Sequence, residues 1–116
     1  MKNLSHNIKF NYLYRDAGNY KIFGSVIFEN PDNISLSEIE TNIKQCLIYR
    51  EFFDPIKLNI PQLAFAEIDE EVDHNWNEFQ SIELTLESIT DKRAINYFLK
   101  EMELFQNNLK QRQKIN

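Results

Sequence analysis

Residues 6–29 read HNIKFNYLYRDAGNYKIFGSVIFE, and this stretch decides the fold because it alternates apolar and polar side chains twice. The alternation covers residues 6–15 and again residues 20–29, and this period of two is typical of half-buried strands. The apolar face of the first stretch consists of Ile8, Phe10, Tyr12 and Tyr14, and that of the second consists of Tyr20, Ile22, Val26 and Phe28. We therefore predict two antiparallel strands, joined as a hairpin by the four residues 16–19.

The hairpin connection, DAGN at residues 16–19, has the composition of a turn. The carboxylate of Asp16 suits an Asx-turn, Gly18 is expected to supply a positive φ, and Asn19 tolerates one. Within the second strand, Gly24 is expected to mark either a bulge or a close approach by another segment. Most of this connection is thus explained by backbone geometry alone.

The residues that flank the connection are not required by a turn. Arg15 and Lys21 are predicted to be cross-strand neighbours, and Tyr14 and Tyr20 are predicted to pair in the same way. Two interpretations stay open: the segment is a hairpin turn that happens to be polar, or it is a polar recognition tip. The donors and acceptors of that tip would be Arg15, Asp16, Asn19 and Lys21.

A helix is predicted to follow the hairpin. Ser35 and Glu38 form a capping box, with Ser35 as the N-cap and Glu38 at the third helical position. Apolar residues then recur at helical spacing as far as Leu47. Cys46 lies on this stripe, which favours a buried apolar role for its thiol over a nucleophilic one.

The second half of the chain predicts two further strands. The segment EFFDP at 51–55 is expected to break the helix, and QLAFAEI at 62–68 is predicted to form the third strand. Residues 79–88 alternate again, which predicts a fourth strand. The side chains expected to point inward from that strand are Ile82, Leu84 and Leu86.

A long helix is predicted to end the chain. Thr90 is expected to cap it, and the helix is expected to run to about residue 112. Its apolar stripe consists of Ile95, Phe98, Leu99, Met102, Phe105 and Leu109. The polar end over residues 110–116 is expected to fray, which leaves an ordered core over about residues 6–110.

The predicted order is therefore β-β-α-β-β-α, which is typical of the α+β class. We expect a four-stranded, mainly antiparallel sheet with both helices packed on one face. A length of 116 residues is sufficient for one hydrophobic core without disulfides or a metal. We accordingly predict a single domain over residues 1–116.

Composition favours a cytoplasmic protein. Cys46 is the single cysteine and has no partner for an internal disulfide, which is usual in a reducing compartment. The first residues lack the apolar run of a signal peptide. Nowhere does an apolar stretch approach the about 18 residues of a membrane-spanning helix. We therefore expect no membrane association.

The net charge of −5 is concentrated in the middle of the chain, because residues 31–90 carry 13 acidic and 3 basic side chains. Binding to a nucleic-acid backbone requires clustered Lys and Arg, so we expect no nucleic-acid partner. An acidic surface would suit a basic protein partner. The alternative interpretation is a solvated surface that binds nothing.

The acidic segment DEEVDHNWNE at 69–78 holds the second group of candidate residues. Its carboxylates and His74 are residue types that bind metals. A calcium loop would include a glycine, however, and a zinc site would require more His or Cys residues, so we predict no metal. Trp76 either folds onto the core or acts as an exposed interaction anchor. Because the chain also lacks a glycine-rich phosphate loop and familiar catalytic motifs, we predict no cofactor and disfavour catalysis.

Several runs of this sequence resemble a family of small, uncharacterised bacterial proteins. The resemblance is carried mainly by FNYLYRDAGNYKIFGSVIFENPDN at 10–33 and by DHNWNEF at 73–79, with LSEIE and EFFDP between them. It covers roughly residues 8–85 and implies a bacterial origin. It also marks the segments 15–21 and 69–79 as signature positions, without implying an activity for either.

We predict from these features a small bacterial protein that acts by protein–protein interaction, as an inhibitor, immunity or accessory and regulatory protein. The candidate surface consists of Arg15, Asp16, Asn19, Tyr20, Lys21, Asp73, His74, Trp76 and Glu78. The alternative is a small enzyme or small-ligand binder that uses the same hairpin tip and acidic loop. That alternative requires the two segments to meet.

A third hypothesis is a homodimer formed through the C-terminal helix. Ile95, Met102 and Leu109 share one heptad position, and Phe98 and Phe105 share another. Two heptads are short for a coiled coil. Packing of the helix on its own sheet explains the same stripe.

Overall fold

The computed structural model describes residues 6–65 and 76–114, with side chains as far as residue 105. Its elements are β1 (Asn7–Arg15), β2 (Lys21–Phe28), α1 (Leu36–Cys46), β3 (Phe52–Phe53), β4 (Asn77–Thr85) and α2 (Ile95–Lys114). The predicted order β-β-α-β-β-α and the α+β class are confirmed.

The four strands form one antiparallel sheet in the order β2-β1-β4-β3. β1 is central and places Phe10 opposite Val26 on one side and Ile82 on the other. A register shift after Asn11 lets Phe79 and Ile82, three residues apart on β4, both pack against the core.

Both helices cover the same face of the sheet, as predicted. The core-facing residues of β1 are fully buried, and the helices bury or partly bury the described residues of the apolar stripes that their spacing predicted. Leu109, the last residue of the α2 stripe, lies beyond the described side chains. Phe98 of α2 stacks on Phe28 with 4.4 Å between ring centroids and contacts Phe10 edge-on at 5.5 Å. Each such ring stabilises the fold by about 1.5–3 kcal/mol through burial.

The first helix begins as predicted. Ser35 is its N-cap, and the Ser35 hydroxyl accepts the backbone N–H of Glu38 at 3.3 Å. Cys46 is half-buried and packs against the core, in agreement with the apolar role expected for it.

The third strand was predicted wrongly. Residues 62–65 form no strand, and residues 66–68 of the predicted strand lie outside the described part of the chain. The strand is instead Phe52–Phe53, inside the segment expected only to break the helix. The reason is Asn77: its buried amide accepts the N–H of Leu63 and donates to the C=O of Leu63, both at 3.1 Å. These bonds use the backbone groups that a strand ladder at Leu63 would require.

The start of the last helix was also predicted wrongly. α2 begins at Ile95, and Thr90 does not cap it. Thr90 extends the edge of β2 instead: its hydroxyl accepts the N–H of Ile27 at 2.9 Å, and its own N–H donates to the C=O of Ile27 at 3.0 Å. A threonine hydroxyl that accepts a backbone N–H of a strand is no longer available to cap a helix.

The inward alternation predicted for β4 holds only in part. Ile82 packs against the core, but Leu84 is half exposed and Leu86 is mostly exposed. Leu86 lies beyond Thr85, where β4 ends, so the strand alternation no longer determines where its side chain points.

Candidate functional site

The hairpin tip is closed by hydrogen bonds to the side chain and backbone of Asp16, as the turn interpretation predicts. The Asp16 carboxylate accepts the N–H of Tyr20 at 2.9 Å, and the C=O of Asp16 accepts the N–H of Asn19 at 3.0 Å. The positive φ falls on Asn19, at 67°, and the expectation that Gly18 would supply it was wrong. In this kind of hairpin the left-handed residue is the one that follows the turn pair, and Asn tolerates that conformation.

The predicted tyrosine pair does not form. The loop closes between Arg15 and Lys21, which are directly opposite each other as predicted. Tyr14 therefore faces Ile22 and is buried, whereas Tyr20 precedes β2 and is largely exposed, so its predicted inward position was also wrong. Tyr20 belongs to the loop, outside the paired strands, so the strand alternation does not determine where its side chain points.

Arg15 connects the hairpin tip to the beginning of β4. Its Nε donates to one carboxylate oxygen of Glu78 at 2.8 Å and its Nη2 donates to the other at 3.3 Å. A third donor, Nη1, bonds the side-chain oxygen of Asn19. The hydrogen bond to Glu78 raises the pKa of Arg15 above its usual value. The two candidate segments therefore meet where the fork of Arg15 binds the carboxylate of Glu78.

The sheet face away from the helices carries a row of side chains that includes Glu78. The strand register aligns one residue from each strand, and we call these four residues the outer row. In strand order they are Phe23, Leu13, Glu78 and Phe52. Phe23 is 58% exposed. The ring of Trp76 lies 6.1 Å from that of Phe52 and is 37% exposed, so Trp76 borders the outer row without being buried.

Seven of the nine predicted surface residues belong to the described part of the chain, while Asp73 and His74 lie outside it. Arg15, Asn19 and Glu78 are in direct contact, and Lys21 lies opposite Arg15. Phe52 was missed as a surface residue because its segment was interpreted as a helix breaker. The doubled phenylalanine before Asp-Pro was the available signal for a strand.

A second arginine, Arg93, forms a cluster that the sequence did not suggest. Its Nε and Nη2 bind the two carboxylate oxygens of Asp91 at 3.0 and 2.6 Å. Its Nη1 donates to Glu101 at 2.9 Å and to the C=O of Leu58 at 2.8 Å, and Nη2 also donates to the C=O of Asn59 at 3.2 Å. All five N–H donors of the guanidinium are thereby used.

The Arg93 cluster is structural. Its guanidinium carbon lies 5.1 Å from the ring centre of Phe98 and 5.8 Å from that of Phe28, so the cation covers the aromatic core. The hydrogen bonds between the partners lower the pKa of Asp91 and raise that of Arg93. Since every donor already has a protein acceptor, the cluster offers no donor to a ligand.

Neither a metal site nor a membrane span is found in the part of the chain that the structure describes. Across residues 6–65 and 76–114, no three side chains of His, Cys, Asp or Glu are grouped so that they could hold a metal ion. The helices in these ranges are too short or too polar to cross a bilayer.

Comparison of the chain with protein-family models, with curated proteins and with solved structures gave no match. The resemblance to a bacterial family therefore stays a prediction, and the functional argument depends on the geometry of Arg15, Glu78 and the outer row.

Proposed function

We propose that this chain is a small cytoplasmic bacterial protein that acts by protein–protein interaction, as an inhibitor, immunity or accessory and regulatory protein, and not by catalysis. One observation supports this most directly: Arg15, Phe23 and Trp76 are all at least partly exposed around one end of the outer sheet face, and Tyr20 is exposed in the hairpin loop. Arginine and the large aromatic side chains are the types enriched in the centres of protein interfaces.

Arg15 is prepared for such a contact. Glu78 and Asn19 hold its guanidinium in one orientation, so little side-chain entropy is lost when a partner binds. Within the described residues these bonds use three of its five N–H donors. The remaining two can bond a carboxylate or carbonyl of the partner. The acidic residues of 31–90 would in turn suit basic side chains elsewhere on that partner.

Three groups that could perform chemistry are engaged in other ways. Both oxygens of Glu78 accept bonds from Arg15, which hold this carboxylate in a structural ion pair. The Tyr12 hydroxyl donates to the C=O of Pro61 at 2.6 Å, and burial raises its pKa to about 12. Cys46 is half-buried and packs against the core, whereas a reactive thiol needs an accessible, electropositive setting.

The test is affinity capture from bacterial lysate with matched variants. The wild-type chain should capture a defined protein that the double variant Arg15→Ala, Trp76→Ala does not. The control is Tyr97→Ala, Leu104→Ala, which removes two exposed apolar side chains from α2 and should leave capture intact. Capture that is equal for both double variants, or absent for the wild type, would contradict the proposal.

A small-ligand binder or small enzyme at the same place is the second candidate. The contact between Arg15 and Glu78 favours it, since this alternative required the hairpin tip and the acidic segment to meet. A small carboxylate or phosphate that binds the wild type and the Trp76→Ala variant equally, but not Arg15→Ala, would support this candidate. A screen of such anions without any saturable binding would argue against it.

A further inference from the structure

The outer edge of β2 has hydrogen-bonding groups that the described part of the chain uses only in part. β2 is an edge strand, and alternate residues of an antiparallel strand point their backbone groups to opposite sides. The backbone groups of Ile27 point away from β1, towards the open edge. Its N–H donates to the Thr90 hydroxyl, and its C=O accepts the N–H groups of Thr90 and Asp91. The residues with the same orientation are Lys21, Phe23 and Ser25.

The unpaired edge of β2 over residues 21–25 is bounded at both ends. Thr90 and Asp91 occupy the edge at Ile27, and the hairpin turn at Asn19 ends it on the other side. Across residues 21–25, β2 has no sheet neighbour other than β1 within the described chain. The midpoint of this stretch is Phe23, whose side chain points to the outer face and is 58% exposed.

We propose that residues 21–25 pair with the same residues of a second copy of this chain, antiparallel, about a two-fold axis at Phe23. Phe23 then faces Phe23 of the second copy, and Lys21 faces Ser25 of the second copy. Two identical antiparallel edges are self-complementary, because each offers the donors that the other accepts. The two sheets become one continuous sheet of eight strands.

The position of the edge favours this occupant and register. The stretch that remains open is symmetric about Phe23, so the two copies pair over its full length, up to the Thr90 segment of each. A lysine faces an uncharged serine, which avoids like charges directly opposite each other. The other edge strand of the sheet, β3, has only two residues and offers no comparable length.

This self-association does not depend on the proposed function. The contact between Arg15 and Glu78 lies on β1 and β4 and stays accessible in the dimer, whereas Phe23 belongs to both surfaces. Because the paired stretch is short, the interface is smaller than the standard size for stable complexes, and we expect a dissociation constant in the micromolar range or weaker.

Sedimentation velocity from low micromolar to millimolar concentration tests the proposal. The wild type should shift from monomer to dimer as its concentration rises. Phe23→Lys places two cations opposite each other at the axis and should weaken association by about tenfold or more. Tyr97→Lys is the matched control, since Tyr97 is 59% exposed and lies on α2, and it should leave association unchanged.

Hydrogen exchange gives a readout that does not require a variant. The amides of Phe23 and Ser25 should gain protection as the dimer forms, whereas the amide of Val26, bonded to β1, should be protected throughout. A wild type that stays monomeric at the highest concentration would overturn the proposal. So would protection of Phe23 and Ser25 in dilute protein, or a dimer that Tyr97→Lys dissociates and Phe23→Lys does not.

Discussion

Arg93 and Arg15 both bind a carboxylate through two nitrogens, yet their surroundings differ. The side chain of Arg93 is 16% exposed, covers two aromatic rings and uses all five donors inside the fold. The side chain of Arg15 is 37% exposed, lies at the end of a strand and bonds Glu78 and Asn19. The comparison teaches that the number of donors already used separates a stabilising arginine from one that can bind a partner.

The largest effect on stability is expected at Arg93. Arg93→Ala leaves Asp91, Glu101 and two backbone carbonyls without their donor, which should lower the free energy of unfolding by about 3 kcal/mol. Arg93→Lys keeps the charge but not the planar fork and should recover only part of the loss. Urea unfolding measures both variants. The comparison fails if Arg93→Ala destabilises the protein no more than Arg15→Ala.

The next largest effect on stability is expected at Asn77. Asn77→Ala removes the partner of both backbone groups of Leu63, so the free energy of unfolding should fall by about 2 kcal/mol. Asn77→Asp keeps an acceptor for the N–H of Leu63 but loses the donor to its C=O. Stability equal to wild type in both variants would show that these bonds are dispensable.

Gly24 should show a smaller effect. A Cβ at this position would lie 2.8 and 3.1 Å from the two methyl carbons of Leu63, and Asn77 fixes the backbone of Leu63. Gly24→Ala should therefore lower the free energy of unfolding by about 1 kcal/mol. In a Leu63→Ala background the same substitution should be neutral or stabilising, which a double-mutant cycle measures. A stabilised Gly24→Ala single variant would contradict the close approach.

The Arg93 cluster should also make the free energy of unfolding depend on pH. The hydrogen bond from Arg93 lowers the pKa of Asp91 in the folded protein, so the contribution of Asp91 is complete above the ordinary carboxyl pKa of about 3.9. It is lost as the pH falls through the lowered value. Wild type should therefore lose more stability than Asp91→Asn below about pH 4. Parallel loss of stability in the two proteins would exclude this role for Asp91.

The smallest effect on stability is expected at Arg15, where the largest effect on binding is also expected. Arg15→Ala removes an arginine whose side chain is 37% exposed, and partly exposed ion pairs contribute less to folding than buried ones. Its melting temperature should stay close to that of wild type, while partner capture should be lost. A clear drop in melting temperature would place Arg15 with Arg93 among the structural arginines.

Part of the candidate site was predictable because it depends on local pattern. Arg15 and Lys21 were predicted as neighbours because they flank the hairpin connection, and the register confirms them, although the connection spans residues 16–20 and not the predicted 16–19. The contact of Arg15 with Glu78 was not predictable. It joins residues 63 positions apart and follows from the pairing of β1 with β4, which carries no local signal. The identity of any partner is not encoded in either pattern.

The sequence by itself determined the elements whose signals are local. The period of two identified β1 and β2, Ser35 identified the start of α1, and the helical spacing identified the buried stripe of α2. Only the tertiary structure decided the position of β3, the role of Thr90 and the order of the strands. The physical reason is that a buried donor or acceptor needs a partner from anywhere in the chain, and propensity describes only near neighbours.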